Sequence, residues 1–191
     1  TLMKLVAGSL EPDSGRRILQ GGVKVEMLAQ NPKFDDAATV KDALNLELKE
    51  IFDAMGEYAA VLEALGRDPQ NKELNARQDE LIKFIEAKDG WQIERKIERV
   101  LEEFKLKEYE NRAVSSLSGG EIRRVALGAL ILKKPDVLLL DEPTRALDLN
   151  YAVEMMKICE KLTKELNLLS VAVMHDLNLA AMFCDKIVML K

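Results

Sequence analysis

The sequence predicts an α/β fold in which a parallel sheet with flanking helices carries an inserted helical hairpin. Two short runs, the continuously apolar residues 137–140 and the largely apolar residues 168–174, are typical of strands buried in a parallel sheet. Both runs end in polar pairs, Asp141-Glu142 and His175-Asp176. A long helical stretch, residues 42–110, separates these strands from the amino-terminal part of the chain.

The first forty residues are predicted to contain a short helix and two short strands separated by a turn. Residues 1–7 have the pattern of one or two helical turns, and Gly8 is a typical C-cap. Residues 16–19 are expected to form a short strand before the Gly21-Gly22 turn. Apolar and charged residues then alternate over positions 23–27, which predicts a half-exposed strand. Gln30 follows this strand.

Residues 42–110 are predicted to be helical throughout. The apolar stripe of the first helix consists of Leu44, Leu48, Ile51, Met55, Ala59 and Leu62. The helix stops at the Gly66 to Pro69 turn, and a second stripe, Leu74, Leu81 and Ile85, completes an antiparallel helical hairpin. A third helix covers residues 91–104. Acidic residues outnumber basic residues in this segment, which favours a solvated helix surface over the alternative of an acidic binding site.

The stretch from Ser116 to Asp148 contains most of the candidate site residues. Ser118 is a typical N-cap, and the two glycines after it allow a ligand to approach the backbone of a helix start, where free N–H groups favour an anion such as phosphate. Asp141 and Glu142 follow the buried strand at its carboxyl end, where open α/β sheets place their ligands. Two adjacent carboxylates suit a divalent metal ion and a water molecule to be activated.

In this order and spacing, LSGGE at 117–121, LLLDEP at 138–143 and the xxLD pattern at 145–148 resemble the ATP-binding cassette (ABC) ATPases. The resemblance implies a P-loop NTPase-like fold that binds ATP and Mg²⁺. It implies that Glu142 acts on the attacking water and that Asp141 holds Mg²⁺. His175 matches the histidine that contacts the γ-phosphate, and Gln30 matches the glutamine that reaches the metal and the water.

The resemblance also implies a second cassette as partner, in a homodimer or an intramolecular dimer. The signature turn of one cassette then contacts ATP held by the other, and the residues of this chain at those positions are Ser118, Gly119, Gly120 and Glu121. Asp148 would couple the two sites across the dimer.

The opening words TLMKLVAG resemble the residues that follow the phosphate-binding (Walker A) loop of ABC ATPases. The sequence as given therefore begins just after the lysine and the magnesium-binding hydroxyl of that loop, and Thr1 is the residue that would follow them beside the nucleotide. We expect a truncated ABC core over residues 1–41 and 111–191, with a helical insertion over residues 42–110. On this interpretation we expect the chain to bind ATP poorly and its ATPase activity to be impaired.

Two subfamilies are resembled by different parts of the chain. Residues 1–144, with their long charged hairpin, resemble the first cassette of ABC-F proteins of the Uup type, which are soluble ATPases associated with the ribosome. Residues 147–191, with HDLNLA after the last strand, resemble importer-type ABC ATPases, which work with a membrane permease subunit. The sequence therefore supports three hypotheses about the protein: an ABC-F translation-factor module, an importer ATPase subunit, and a catalytically impaired fragment or engineered chimera.

Composition sets further limits on function. The net charge of −5 offers no strong electrostatic case for binding nucleic acid. Cys159 and Cys184 lack the spacing of metal ligands and are expected to be reduced thiols of a cytoplasmic protein. No apolar run approaches the roughly 18 residues that span a bilayer, so no direct membrane insertion is expected.

Overall fold

The computed structural model describes residues 2–34, 38–145 and 147–189. The described residues form a three-stranded parallel sheet in the order β1 (Val25–Leu28), β2 (Val137–Asp141) and β3 (Leu169–Val173). In the register of the sheet, Val25 pairs with Val137, and Asp141 pairs with Val173. The predicted parallel sheet with helices is therefore confirmed.

The central strand β2 is the most deeply buried part of the sheet. Leu138, Leu139 and Leu140 are each at most 1% exposed, because β2 has a hydrogen-bonded strand on either side and helices pack against the sheet. Strand β3 differs from the prediction of a buried strand: Leu169 is 61% exposed and Val171 is 42% exposed. The reason is its place at an edge of the described sheet, where it pairs with β2 alone.

The amino-terminal segment confirms one prediction and corrects another. Helix α1 spans Leu2–Ala7 and ends at Gly8, whose φ of +80° is the left-handed conformation of a C-cap. The strand predicted over residues 16–19 is absent, since none of the described strands lies beside this segment and Ile18 is 73% exposed. Arg17 instead donates from Nε to the carbonyl of Val6 over 2.7 Å.

Between β1 and the signature turn, the described residues form four α-helices: α2 (Val40–Leu46), α3 (Lys49–Arg67), α4 (Lys72–Ala87) and α5 (Ile93–Glu103). The side chain of Thr39 caps α2 and that of Asn71 caps α4. Helices α3 and α4 pack against each other as the predicted antiparallel hairpin, because the turn between them is only four residues long.

The inward face of α3 is rotated from the predicted stripe. Ala59 and Leu62 are exposed, whereas Ala54 and Val61 are buried and form a small cluster with Leu81 and Ile85 of α4. The spacing of apolar residues predicts that a helix has an inward face, but the partner helix selects which of two overlapping stripes is covered.

The helices outside the hairpin share one core with the sheet. Helix α6 (Gly119–Leu132) and helix α7 (Leu149–Glu165) contribute to the same hydrophobic cluster as α2, α5 and β2, and α8 (Leu177–Phe183) packs on α7. Phe104, at the end of α5, is fully buried in this cluster. Among the described residues, the second cluster consists of α3 and α4 side chains, while Ile51 in the first turn of α3 belongs to the main core. We propose that the hairpin beyond this turn is the part of segment 42–110 that projects from the core.

None of the helices formed by the described residues combines the length and apolar character that a bilayer crossing requires.

Candidate functional site

Three of the predicted site residues meet at one edge of the sheet. Gln30 lies two residues beyond β1, Glu142 directly follows β2, and His175 lies two residues beyond β3. Since the three strands are parallel, their carboxyl ends lie at the same edge, which is where open α/β sheets place their ligands.

The carboxylate of Glu142 is the centre of this group. Its Oε2 accepts a hydrogen bond from Gln30 Nε2 over 2.7 Å and another from the guanidinium of Arg145 over 2.9 Å. Its Oε1 lies 2.7 Å from His175 Nε2, a hydrogen-bond distance. Three donors from three separate loops therefore converge on one carboxylate.

These contacts determine the electrostatics of Glu142. Hydrogen bonds from His175 and Arg145, with a smaller contribution from Gln30, lower the pKa of the Glu142 carboxyl to about 2. The side chain of Glu142 is 16% exposed, whereas those of Arg145 and His175 are 60% and 76% exposed. The carboxylate is thus ionised at neutral pH and is approached by two side chains that reach in from solvent.

The backbone at Glu142 adopts an uncommon conformation. Its φ is +50°, in the left-handed region that non-glycine residues seldom occupy. The N–H of Glu142 donates to the carbonyl of Val173 over 3.2 Å, so the last contact between β2 and β3 fixes this turn. Such conformations persist where the surrounding structure over-determines them, and they cluster at functional sites.

A cleft of about 360 Å³ opens beside this group. Glu142, Arg145 and His175 line it together with apolar side chains, Leu147, Leu149 and Leu179. The cleft combines a few convergent polar groups with an apolar wall, as small-molecule sites do.

Asp141, the predicted metal ligand, is half-buried at the end of β2 and has no hydrogen-bonding side chain or ion-pair partner among the residues that the structure describes. A carboxylate in that situation is available to a cation. Within residues 2–34, 38–145 and 147–189, no group of three or more His, Cys, Asp or Glu side chains is arranged to enclose a metal ion. A Mg²⁺ ion, which keeps several waters and uses one or two carboxylates, does not need such an enclosure.

The predicted signature turn forms the start of α6. Ser118 is the N-cap: its Oγ accepts from the N–H of Glu121 over 3.3 Å, and the Glu121 carboxylate accepts from the N–H of Ser118 over 2.6 Å. This reciprocal capping box holds the turn while Ser118 and Gly119 stay exposed. Gly120 lies against the loop after β2. A Cβ built on it would be 3.2 Å from Leu147 Cδ2.

The structure does not join every predicted site residue to Glu142. The residues of the signature turn make no described hydrogen bond to the Glu142 group, and Asp148 caps α7 by accepting from the N–H of Tyr151 over 3.1 Å. Thr1, predicted to lie beside the nucleotide, falls outside the described residues.

Two arginines at the site were not predicted from the sequence. Arg145 lies in the xxLD loop, and Arg123 lies in a helix beside a second arginine, so neither position carries a signal for the site in the sequence alone. Arg123 is 8% exposed and donates to the backbone carbonyls of Gln30 and Arg145.

Comparison with known proteins places these features in a family. The sequence model of the family described as ABC transporter matches residues 1–145. The chain is 35% identical over 178 residues to the energy-dependent translational throttle protein EttA of Haemophilus influenzae, covering 92% of the chain and 31% of EttA. It is 34% identical to the ATP-binding protein Uup of Escherichia coli K12, covering 98% of the chain and 28% of Uup.

A relative with a different description is the uncharacterized ABC transporter ATP-binding protein MJ0089 of Methanocaldococcus jannaschii, 34% identical across 100% of the chain and 66% of that protein. The chain thus spans about a third of the length of EttA and about two thirds of that of MJ0089. Relatives of both descriptions match more than nine tenths of the chain, so its two resemblances require no junction between parent proteins.

Solved structures share the fold. The RNase-L inhibitor superimposes with a TM-score of 0.61 at 21% identity, covering 95% of this chain and 27% of that chain. CbiO1 of Clostridium perfringens, part of the ABC transporter complex CbiONQ, superimposes with a TM-score of 0.59 at 22% identity, covering 96% of this chain and 65% of that one. With the family match over residues 1–145 and the glutamine, glutamate and histidine gathered at the sheet edge, the chain belongs to the ABC transporter family of ATPases.

Proposed function

We propose that this ABC ATPase module hydrolyses ATP and that Glu142 is its general base. The observation that carries the proposal is the convergence of Gln30, Arg145 and His175 on the Glu142 carboxylate at the carboxyl edge of the sheet. A carboxylate oriented by several donors beside an open cleft can accept a proton from an attacking water.

The residues present fit ATP and Mg²⁺. Asp141 has a carboxylate with no described side-chain partner, and the amide of Gln30 supplies the kind of neutral oxygen that Mg²⁺ accepts. A bound Mg²⁺ supplies charge neutralisation for the transferred phosphoryl group. Asp141 and Gln30 would hold the ion, and His175, with its largely exposed side chain, would donate to a phosphate oxygen.

The exposed signature turn supports a second cassette as the partner. Ser118 and Gly119 lie on the surface at the start of a fourteen-residue helix, whose first N–H groups favour an anion. They make no described hydrogen bond to the Glu142 group of their own chain. We propose that these residues serve the ATP of the partner cassette and that Asp148 couples the two sites.

Replacing the general base tests the hydrolytic role. In the natural protein, Glu142→Gln removes the proton acceptor and keeps the shape of the side chain, so turnover should fall by about 100-fold or more while ATP still binds. Steady-state ATPase rates and equilibrium ATP binding measure the two properties separately. Glu160→Gln, on the outer part of α7, is the matched control. Unchanged turnover in Glu142→Gln would refute the assignment.

For the physiological setting, we propose an ABC-F-like role in translation. The similarity to EttA over 92% of the chain supports it, as does the α3–α4 hairpin with its own hydrophobic cluster. The alternative is the ATPase subunit of an importer. The match over the whole chain to MJ0089, an ABC transporter ATP-binding protein, supports a transporter setting.

Co-sedimentation with ribosomes separates the two settings. Arg67, at the end of α3, and Lys72, at the start of α4, are exposed basic residues near the tip of the hairpin. If the hairpin contacts ribosomal RNA, the double substitution Arg67→Glu/Lys72→Glu should weaken co-sedimentation and make it less sensitive to salt. Lys164→Glu, an exposed charge on α7, is the control. Association with a membrane permease and none with ribosomes would favour the importer alternative.

A further inference from the structure

One buried side chain holds both of the residues that donate to Glu142 Oε2. Gln30 and Arg145 reach that oxygen through their side chains, over 2.7 and 2.9 Å. The backbone carbonyl of Gln30 accepts from Arg123 over 3.3 Å, and the carbonyl of Arg145 accepts from the other terminal nitrogen of the same guanidinium. The two loops are remote in sequence, and Arg123 of α6 joins them.

The burial of Arg123 requires an explanation. It is 8% exposed, and no Asp or Glu of the described residues lies within ion-pair distance of it. Burial, and then repulsion by Arg145, lowers the pKa of the Arg123 guanidinium. A buried cation without a carboxylate is costly, and here two carbonyl oxygens compensate it. A planar guanidinium can bridge two fixed carbonyls in a way that a lysine ammonium cannot.

The neighbouring arginine provides a comparison within the same helix turn. Arg124 is equally buried, at 7% exposed, but it donates to the carbonyl of Phe104 over 3.4 Å and lies 6.0 Å from the ring of Tyr151. It makes no described hydrogen bond to either loop at the Glu142 site. Arg124 therefore packs the helix against the core, whereas Arg123 connects the helix to the site.

We propose that Arg123 is a positioning residue for the ATPase reaction: by holding the carbonyls of Gln30 and Arg145, it fixes the loops that orient the Glu142 carboxylate. Arg123 lies five residues after Ser118 in α6, so it also ties the signature turn to the carboxylate of its own cassette. This inference rests on the function proposed above for Glu142.

Kinetics on the natural protein test the inference. Arg123→Met removes both donors but keeps an unbranched stem along the path of the arginine side chain, and loss of positioning should lower kcat by about tenfold. The KM for ATP should stay within about threefold, because Arg123 itself touches no substrate. Arg123→Lys, whose ammonium has a single donor nitrogen in place of the two that reach the carbonyls of Gln30 and Arg145, should give an intermediate kcat. The matched control Arg124→Met should keep kcat within about twofold of the wild type.

Amide hydrogen exchange without nucleotide provides a readout that does not need activity. Exchange at Glu142 and Arg145 should be faster in Arg123→Met than in the wild type and unchanged there in Arg124→Met. If Arg123→Met does not fold, Arg123→Lys is assessed by the same two measurements.

The two proposals fail in different ways. Unchanged turnover in Glu142→Gln refutes the proposed function, and the exchange data then decide on Arg123 alone. If Glu142→Gln is inactive but Arg123→Met keeps a normal kcat, or if Arg124→Met lowers kcat equally, the positioning role of Arg123 is wrong. Unaltered exchange at Glu142 and Arg145 in Arg123→Met also overturns it.

Discussion

Gly128 in α6 is a position where adding one methyl group should destabilise the fold despite improving helix propensity. A Cβ built on Gly128 would stand 2.7 Å from Val100 Cγ1 of α5, and 3.7 and 3.8 Å from side-chain carbons of Phe104 and Leu44. Val100 is 5% exposed and the other two are fully buried, so the neighbours have little room to move.

Two opposing terms determine the size of the effect of Gly128→Ala. Replacing a mid-helix glycine by alanine stabilises a helix by about 1 kcal/mol. Overpacking a close-packed core costs about 1–3 kcal/mol. The free energy of unfolding should therefore fall by about 0–2 kcal/mol, the difference between those two ranges. Urea unfolding followed by circular dichroism measures it.

A control and a second-site change separate the two terms. Gly56 lies in α3 with open space around its α-carbon, so Gly56→Ala should stabilise by about 1 kcal/mol. In a Val100→Ala background, which removes the clashing methyl, Gly128→Ala should also stabilise by about 1 kcal/mol. If Gly128→Ala stabilises the otherwise unchanged protein, or if its cost persists with Val100→Ala, then the close contact between α5 and α6 is not the cause.

Two further predictions concern a cap and a thiol. Ser118→Ala removes the hydroxyl that accepts from the N–H of Glu121 in the capping box, and it should lower the free energy of unfolding by about 1 kcal/mol. Thermal unfolding measures this loss. A similar loss in the control Ser115→Ala would contradict the capping role of Ser118. Burial raises the pKa of the Cys159 thiol to about 12, so maleimide at pH 8 should label half-buried Cys184 first. The ordinary pKa of a cysteine thiol is 9.0, so the free energy of unfolding should fall as the pH rises from 9.0 to about 12. If mass spectrometry found Cys159 labelled before Cys184 in the folded protein, the assigned burial of Cys159 would be wrong.

Several parts of the molecule follow from local sequence. The apolar run before Asp141 predicts a buried strand, and Leu138 to Leu140 are buried in β2. The Ser118 and Glu121 pair predicts a capped helix start, which the reciprocal hydrogen bonds confirm. Such features depend on residues within a few positions of one another, so the sequence pattern contains them.

Other parts depended on neighbours that are distant in sequence. The exposed face of β3 and the missing strand over residues 16–19 reflect which strands lie alongside, and no local pattern encodes that. The rotated inward face of α3 reflects where α4 packs. In each case the sequence identified the apolar residues but not the strands or helices that lie beside them.

The sequence by itself determined the order of the elements, the capped signature turn and the presence of glutamine, glutamate and histidine after successive strands, because each is a property of a short segment. Only the tertiary structure decided that the glutamine and the histidine meet on the carboxylate of the glutamate and that a buried arginine from α6 holds two of the contacting loops. Parallel strands align their carboxyl ends whatever their distance along the chain, so the site is assembled from residues that no local pattern can connect.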